Sequence, residues 1–176
     1  MKKIKLLLGI VLVALTLGCE GSDGPPGPPG LDGLDGQDGE DALSAEVYEQ
    51  TINFSFDSDI NTWSSEIISF NGALDGDIYI GYVSLGDGLF TNLPASFFDE
   101  FGEFQYVFDH DFDSVQFQII GDNDLSTLSV DFTDNVTTRI AIIPAELFLN
   151  YGLNNSLDII SLMQKMDINE TDIILQ

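Results

Sequence analysis

Phe104-Gln105-Tyr106-Val107-Phe108 and, six residues further on, Val115-Gln116-Phe117-Gln118-Ile119 decide the fold. In the first, Phe104, Tyr106 and Phe108 share one face. In the second, Val115, Phe117 and Ile119 alternate with Gln116 and Gln118. A period of two with one apolar side is the mark of a half-buried strand.

Working outward, the same pattern recurs at short intervals. Phe97-Phe98 precedes Asp99-Glu100-Phe101-Gly102-Glu103, which reads as the loop of a hairpin with 104–108. Ile52, Phe54 and Phe56 alternate with Thr51, Asn53 and Ser55, and Trp63 to Phe70 reads as the next strand after an Asp/Asn-rich turn. Between Asp77 and Leu85, Ile78, Ile80 and Tyr82 face one way while Tyr79, Val83 and Leu85 face the other. Gly86-Asp87-Gly88 turns the chain into Leu89–Leu93, which Pro94 stops, and β-branched Thr137–Ile143 ends at Pro144. Strands separated by turn chemistry every 8–12 residues or so predict an all-β fold, an antiparallel β-sandwich of jelly-roll or immunoglobulin-like size. One short helix is expected at the C-terminus, over Leu157–Met166, capped by Asn155 or Ser156, with Ile159, Leu162, Met163 and Met166 as a core-facing stripe. The tail 172–176 is expected to add a short edge strand or to pack on the sheet.

Upstream of this domain, assigned to residues 42–176, the chain changes character. Met1-Lys2-Lys3-Ile4-Lys5 is basic, and Leu6–Leu17 is an apolar run too short for a bilayer span, which needs roughly 20 residues. These are the proportions of a signal peptide, residues 1–18. Thr16-Leu17-Gly18-Cys19 resembles a bacterial lipobox, in which the cysteine is lipidated. Cys19 is the only cysteine, so the domain is expected to stand on its core without a disulfide. From Gly21 to Gly39 glycine then falls at every third position. Residues 19–41 read as a lipidated cysteine followed by a collagen-like Gly-X-Y spacer. Such triplets also permit a homotrimer, but acidic residues fill six of the fourteen non-glycine positions with no Lys or Arg between them. An extended polyproline-II tether suits that charge better.

Lys2, Lys3 and Lys5 lie in the signal, leaving Arg139 and Lys165 against 30 acidic residues, a net charge of −28 beyond Cys19. Phosphate recognition needs clustered Lys and Arg, so nucleic acid is excluded as a direct partner. Calcium is the one ligand such a charge brings forward. Asp109, Asp111 and Asp113 match the first three ligand positions of a calcium loop, but Ser114 replaces the expected glycine and Ile120 stands where the closing Glu belongs. A polar turn is the ordinary explanation. His110 is the only histidine, which removes a His-based zinc cluster, and nothing around it resembles a nucleophile elbow. No phosphate loop or dinucleotide fingerprint is present. Phe97, Phe98, Phe101 and Trp63 near turns are candidates for an aromatic patch that binds glycan or protein, most of them being expected in the core.

Together these residues resemble the collagen-stub lipoproteins of Bacteroidota: lipobox, short acidic Gly-X-Y stub, β-rich domain. Within the domain the resemblance rests on Val47-Tyr48, Leu93-Pro94, Tyr106-Val107-Phe108-Asp109, Asp124-Leu125-Ser126-Thr127-Leu128 and Arg139-Ile140-Ala141-Ile142-Ile143-Pro144-Ala145. It implies an outer-membrane lipoprotein, facing periplasm or surface, with the membrane as partner through Cys19 and no known activity. Such proteins are sometimes labelled dihydrolipoamide dehydrogenase, a label this chain cannot satisfy without a flavin fingerprint or a redox cysteine pair. The expected function is a membrane-anchored structural or binding module, not an enzyme, needing no cofactor. A calcium-dependent adhesion module and a cell-envelope hydrolase using His110 are the alternatives.

Overall fold

Period-two patterning becomes strand pairing along most of the chain. A computed structural model describes residues 43–176 except 87. Its strands are β1 (Glu46–Ile52), β2 (Ser55–Asp57), β3 (Thr62–Ser64), β4 (Ile68–Ser69), β5 (Ile78–Ser84), β6 (Thr91–Asn92), β7 (Ala95–Phe98), β8 (Glu103–His110), β9 (Ser114–Gly121), β10 (Val136–Ile143) and β11 (Ile174–Leu175). Short helices follow: α1 (Val130–Thr133), α2 (Ala145–Asn150) and α3 (Ile159–Lys165). The protein is mostly β, with two sheets and a few helices. The first sheet runs β11-β1-β10-β5-β6, and the second runs β2-β3-β9-β8-β7 with β4 also on β9. Every pairing is antiparallel except β1 with β11.

One hydrophobic core joins the two sheets. Tyr48 and Ile52 of β1, Tyr79 and Val83 of β5, and Ile140 and Ile142 of β10 meet Phe104, Tyr106, Phe117 and Ile119 of the second sheet. The opposite faces of β1, β5 and β10 are buried as well. There Val47, Ile80, Tyr82, Ala141 and Ile143 pack with Leu153, Ile159, Leu162 and Met163 of the C-terminal helical region. Two covered faces explain why Ile140-Ala141-Ile142-Ile143 is continuously apolar, whereas β8 and β9 alternate with Gln105, Gln116 and Gln118 facing outward.

The hairpin of β7 and β8, the two-sided reading of β5 and the C-terminal edge strand all form as the sequence predicts. Other expectations are corrected. Ile52–Phe56 is not one strand: the chain leaves the first sheet after Ile52 and joins the second at Ser55, with Phe54 buried between them and its N–H donated to the Thr133 carbonyl at 2.8 Å. The expected strand Trp63–Phe70 breaks at Ser65, whose buried hydroxyl accepts the Phe117 N–H at 3.0 Å, so one side chain takes a ladder position. The strand expected over 89–93 shortens to Thr91–Asn92. The C-terminal helix starts at Ile159, because Asp158 is the N-cap and accepts the Ser161 N–H at 2.9 Å. Two further helices, α1 and α2, follow Ser129 and Pro144 at their N-caps.

The sheets interlock at Gly81. A Cβ there would lie 2.7 Å from two atoms of the Phe108 ring, so the missing side chain is the hole into which the second sheet inserts an aromatic. Gly81→Ala is expected to cost about 1–3 kcal/mol, the range for overpacking a filled core, read as a lower denaturation midpoint. An unchanged midpoint would show that the ring moves aside freely.

Four buried tyrosines use their hydroxyls, three of them to reach other parts of the fold and Tyr48 within its own strand. Tyr79 donates to the Phe112 carbonyl at 2.7 Å, Tyr82 to the Leu157 carbonyl at 2.9 Å, Tyr106 to the Phe132 carbonyl, and Tyr48 to Glu46 at 2.5 Å. Desolvation raises the pKa of each above the ordinary phenol value, and at Tyr48 the Glu46 carboxylate adds to it. The folded state therefore retains protons that the unfolded chain releases above about pH 10. Their contribution to stability is full below that pH and is lost as pH rises through the folded values. Phenolate absorbance from Tyr48, Tyr82 and Tyr106 is expected to be absent in the folded protein near pH 11 and to appear together with loss of the fold, followed by near-ultraviolet absorbance and circular dichroism.

Candidate functional site

Cys19 and the Gly-X-Y segment lie outside the described residues. Among the described residues no helix is long and apolar enough to cross a membrane.

The three aspartates weighed as a calcium loop sit on the β8–β9 hairpin. Asp109 accepts from the Gln118 amide at 3.3 Å, Asp111 accepts the Phe112 N–H at 2.8 Å, and the Asp113 carbonyl accepts the Phe70 N–H at 2.8 Å. Among the described residues no three His, Cys, Asp or Glu side chains are grouped to hold a metal ion. His110 belongs to the end of β8, opposite Val115, rather than to the turn itself. Its ring stacks on Tyr79 with centroids 4.6 Å apart, and Nδ1 lies 3.2 Å from the Asp111 carbonyl. A serine hydroxyl, which a hydrolase triad requires, is not among its hydrogen-bond partners. Of the four aromatics considered at the sequence level, Phe97 and Trp63 pack against the core, and the Trp63 indole donates to the Leu125 carbonyl at 2.8 Å. Phe98 and Phe101 stand out from the surface, Phe98 with 71% of its area exposed.

Arg139 carries a role that sequence reasoning missed. It is 7% exposed in the middle of β10, with its guanidinium 4.2 Å above the Phe90 ring. Nε donates to Glu49 at 2.7 Å and the terminal nitrogens clasp both oxygens of Glu170 at 3.2 and 2.7 Å. Burial opposes the charge, but the hydrogen bonds to Glu170 and Glu49 outweigh it and raise the pKa above the ordinary arginine value. The ionic donors are spent inside the domain, so this cluster joins β10, β1 and the turn before β11. It is a fastening. The one available signal was a cation in an otherwise uncharged strand of a chain with two cations beyond Cys19. Glu170 is 67% exposed and its pair is screened, whereas Glu49 is mostly covered. Glu49→Gln is therefore expected to cost about 1–3 kcal/mol and Glu170→Gln about 1 kcal/mol or less, compared by denaturant midpoints. Equal costs would contradict the assignment.

The surface suited to a partner is the outer face of the second sheet. Val107, Gln118, Ser64 and Ser55 stand opposite one another in continuous register across β8, β9, β3 and β2. Beside them Ser96, Gln105 and Ile120 form a second row across β7, β8 and β9. The Gln105 amide donates to the Ser96 hydroxyl at 3.0 Å, which holds it flat against the sheet. Gln118 is held by Asp109 in the same way. At the end of these rows lies an open cleft of about 630 Å³, lined by Glu103, Gln105, Ile120, Asp122 and Asn123. Its wall is the Asn123 side chain, lodged between Gly102 and Gly121; a Cβ on Gly121 would sit 2.9 Å from Asn123 Oδ1. Phe98, opposite Glu103, stands at the same end.

No family model, curated protein or solved structure matches this chain. What it does must be argued from its own residues.

Proposed function

We propose that the chain is an outer-membrane lipoprotein, held by lipid on Cys19, whose Gly-X-Y segment spaces a β-sandwich domain from the bilayer. The observation that carries this reading is the position of the sole cysteine, directly after a basic and then apolar leader and one residue before seven unbroken glycine triplets. In polyproline-II form, at about 3.1 Å per residue, such a spacer would reach roughly 65 Å. The domain shares the layout of the collagen-stub lipoproteins of Bacteroidota, and we place it with them. The two sheets around one core have the size and pairing of a sandwich, with the C-terminal helical region as an added layer on the first sheet.

We assign the domain a structural or binding role without a catalytic step. The aspartates whose pKa values are lowered, Asp124, Asp158 and Asp172, owe this to hydrogen bonds from Ser126, Ser161 and Asn169 at turns and helix starts. The tyrosines whose values are raised lie in the core. Each shift has a structural cause at a turn, a helix start or in the core.

Cys19→Ser, expressed in a bacterium with its own lipoprotein-processing machinery, is expected to move the protein from the membrane fraction to the soluble one and to abolish incorporation of labelled palmitate. Retention of the variant in the membrane fraction would overturn the anchor.

A further inference from the structure

We propose that the outer face of the second sheet binds a neutral, hydroxyl-rich polysaccharide, with Gln105 and Gln118 as its hydrogen-bonding centre and Phe98 as a stacking edge. This rests on the reading of the domain as a tethered binding module and names its ligand class.

The argument begins with charge. The chain beyond Cys19 carries −28, yet the two registered rows at the centre of this face, Val107-Gln118-Ser64-Ser55 and Ser96-Gln105-Ile120, contain no ionisable side chain. Asp109 flanks them at one end, Glu103 and Asp122 at the other, and Asp57, Asp59 and Glu66 line the cleft that holds Ser55 and Ser64. An anionic polymer would be repelled by the field of the whole molecule. A cationic partner would be drawn to the carboxylates elsewhere rather than to the area that lacks them. A protein partner needs a desolvated core of aromatic or aliphatic anchors, and here only Val107, Ile120 and Phe98 are apolar. A neutral polyol carries no charge for that field to repel, and it meets rows whose own side chains are un-ionised.

The groups present also fit a polyol chemically. A glutamine side chain offers both an amide donor and a carbonyl acceptor. Gln105 and Gln118 commit their N–H groups to Ser96 and Asp109. Among the described residues no donor reaches their carbonyl oxygens, which leaves two oriented acceptors for sugar hydroxyls. The Ser64 and Ser55 hydroxyls in the same row both donate and accept. Phe98 offers an uncovered ring face to the C–H side of a pyranose, the amphipathic contact to which aromatics are suited. The cleft beside Gln105 is within the ordinary size range of ligand sites, and it closes one end of an otherwise open track.

The test is affinity electrophoresis of the full-length protein in detergent, through gels containing a β-glucan, an α-glucan, a mannan or a sulfated glycan. Retardation by at least one neutral polysaccharide and none by the sulfated one is expected. The double variant Gln105→Ala/Gln118→Ala is expected to weaken that binding about tenfold with an unchanged melting temperature. Phe98→Ala is a second, independent variant on a side chain outside the core, expected to weaken it several-fold. Absence of retardation by all three neutral polysaccharides, or equal binding by wild type and both variants, would overturn the proposal. Membrane fractionation of Cys19→Ser reads the anchor alone, so failure of the tether and failure of the sugar site are separable.

Discussion

Everything in this domain depends on β10 being buried on both of its faces. Ile140 and Ile142 point into the core between the sheets, while Ala141 and Ile143 point into the layer beneath the C-terminal helix. A domain with no cysteine must obtain its stability from apolar burial, at about 25 cal/mol per Å² removed from water. A sheet that buries one face leaves half of its side chains in solvent. By covering both faces of its central strands, the first sheet about doubles what each residue there contributes. The second sheet can then leave one face open to water, because its inner aromatics already fill the shared core.

Strong acidity makes the placement of the few cations consequential. Arg139 is one of two basic residues beyond Cys19, and it is sealed into the strand on which the fold turns. An arginine in such a place needs two conditions: a planar partner matched to its fork and a second carboxylate to complete the neutralisation. Glu170 meets the first and Glu49 the second. Both come from segments that nothing else joins to β10 ionically, so the cation specifies where the last turn of the chain must lie. A lysine would supply charge without the fork and would not fix that geometry.

Most strands were legible in the sequence because alternation survives wherever one face is wet. Val115, Phe117 and Ile119 with intervening glutamines allow no other reading. Local pattern misleads where tertiary context overrides it. Ile52, Phe54 and Phe56 keep a perfect alternation across a point where the chain changes sheets, since both sheets turn the same side toward one core. Ser65 interrupts a strand through a side-chain hydrogen bond that no periodicity records. The helix over 145–150 carries little apolar contrast, and its start depends on Pro144 ending β10. For the proposed site, exposed aromatics near turns were visible, but two of the four proved to be core. The neutral rows were invisible, because their members come from β2, β3, β7, β8 and β9 and become neighbours only through register.

The position of β1 bears on how this domain would respond to load. It is the first strand of the described chain, and it is flanked on one side by β10 in seven registered pairs and on the other by β11. A pull directed along its axis from Glu46 would stress all seven pairs at once, as a lap joint is stressed, whereas a sideways pull would open them singly from the Glu46–Ile142 end. The fourth pair in that order is Glu49 with Arg139, the ionic clasp, and Gln176 donates to the Glu49 carbonyl at 3.1 Å from the other side. A peeling front would travel three residues and then meet a charged rivet. In a domain towed by its leading strand, the same contacts that position the chain terminus set the force at which it yields.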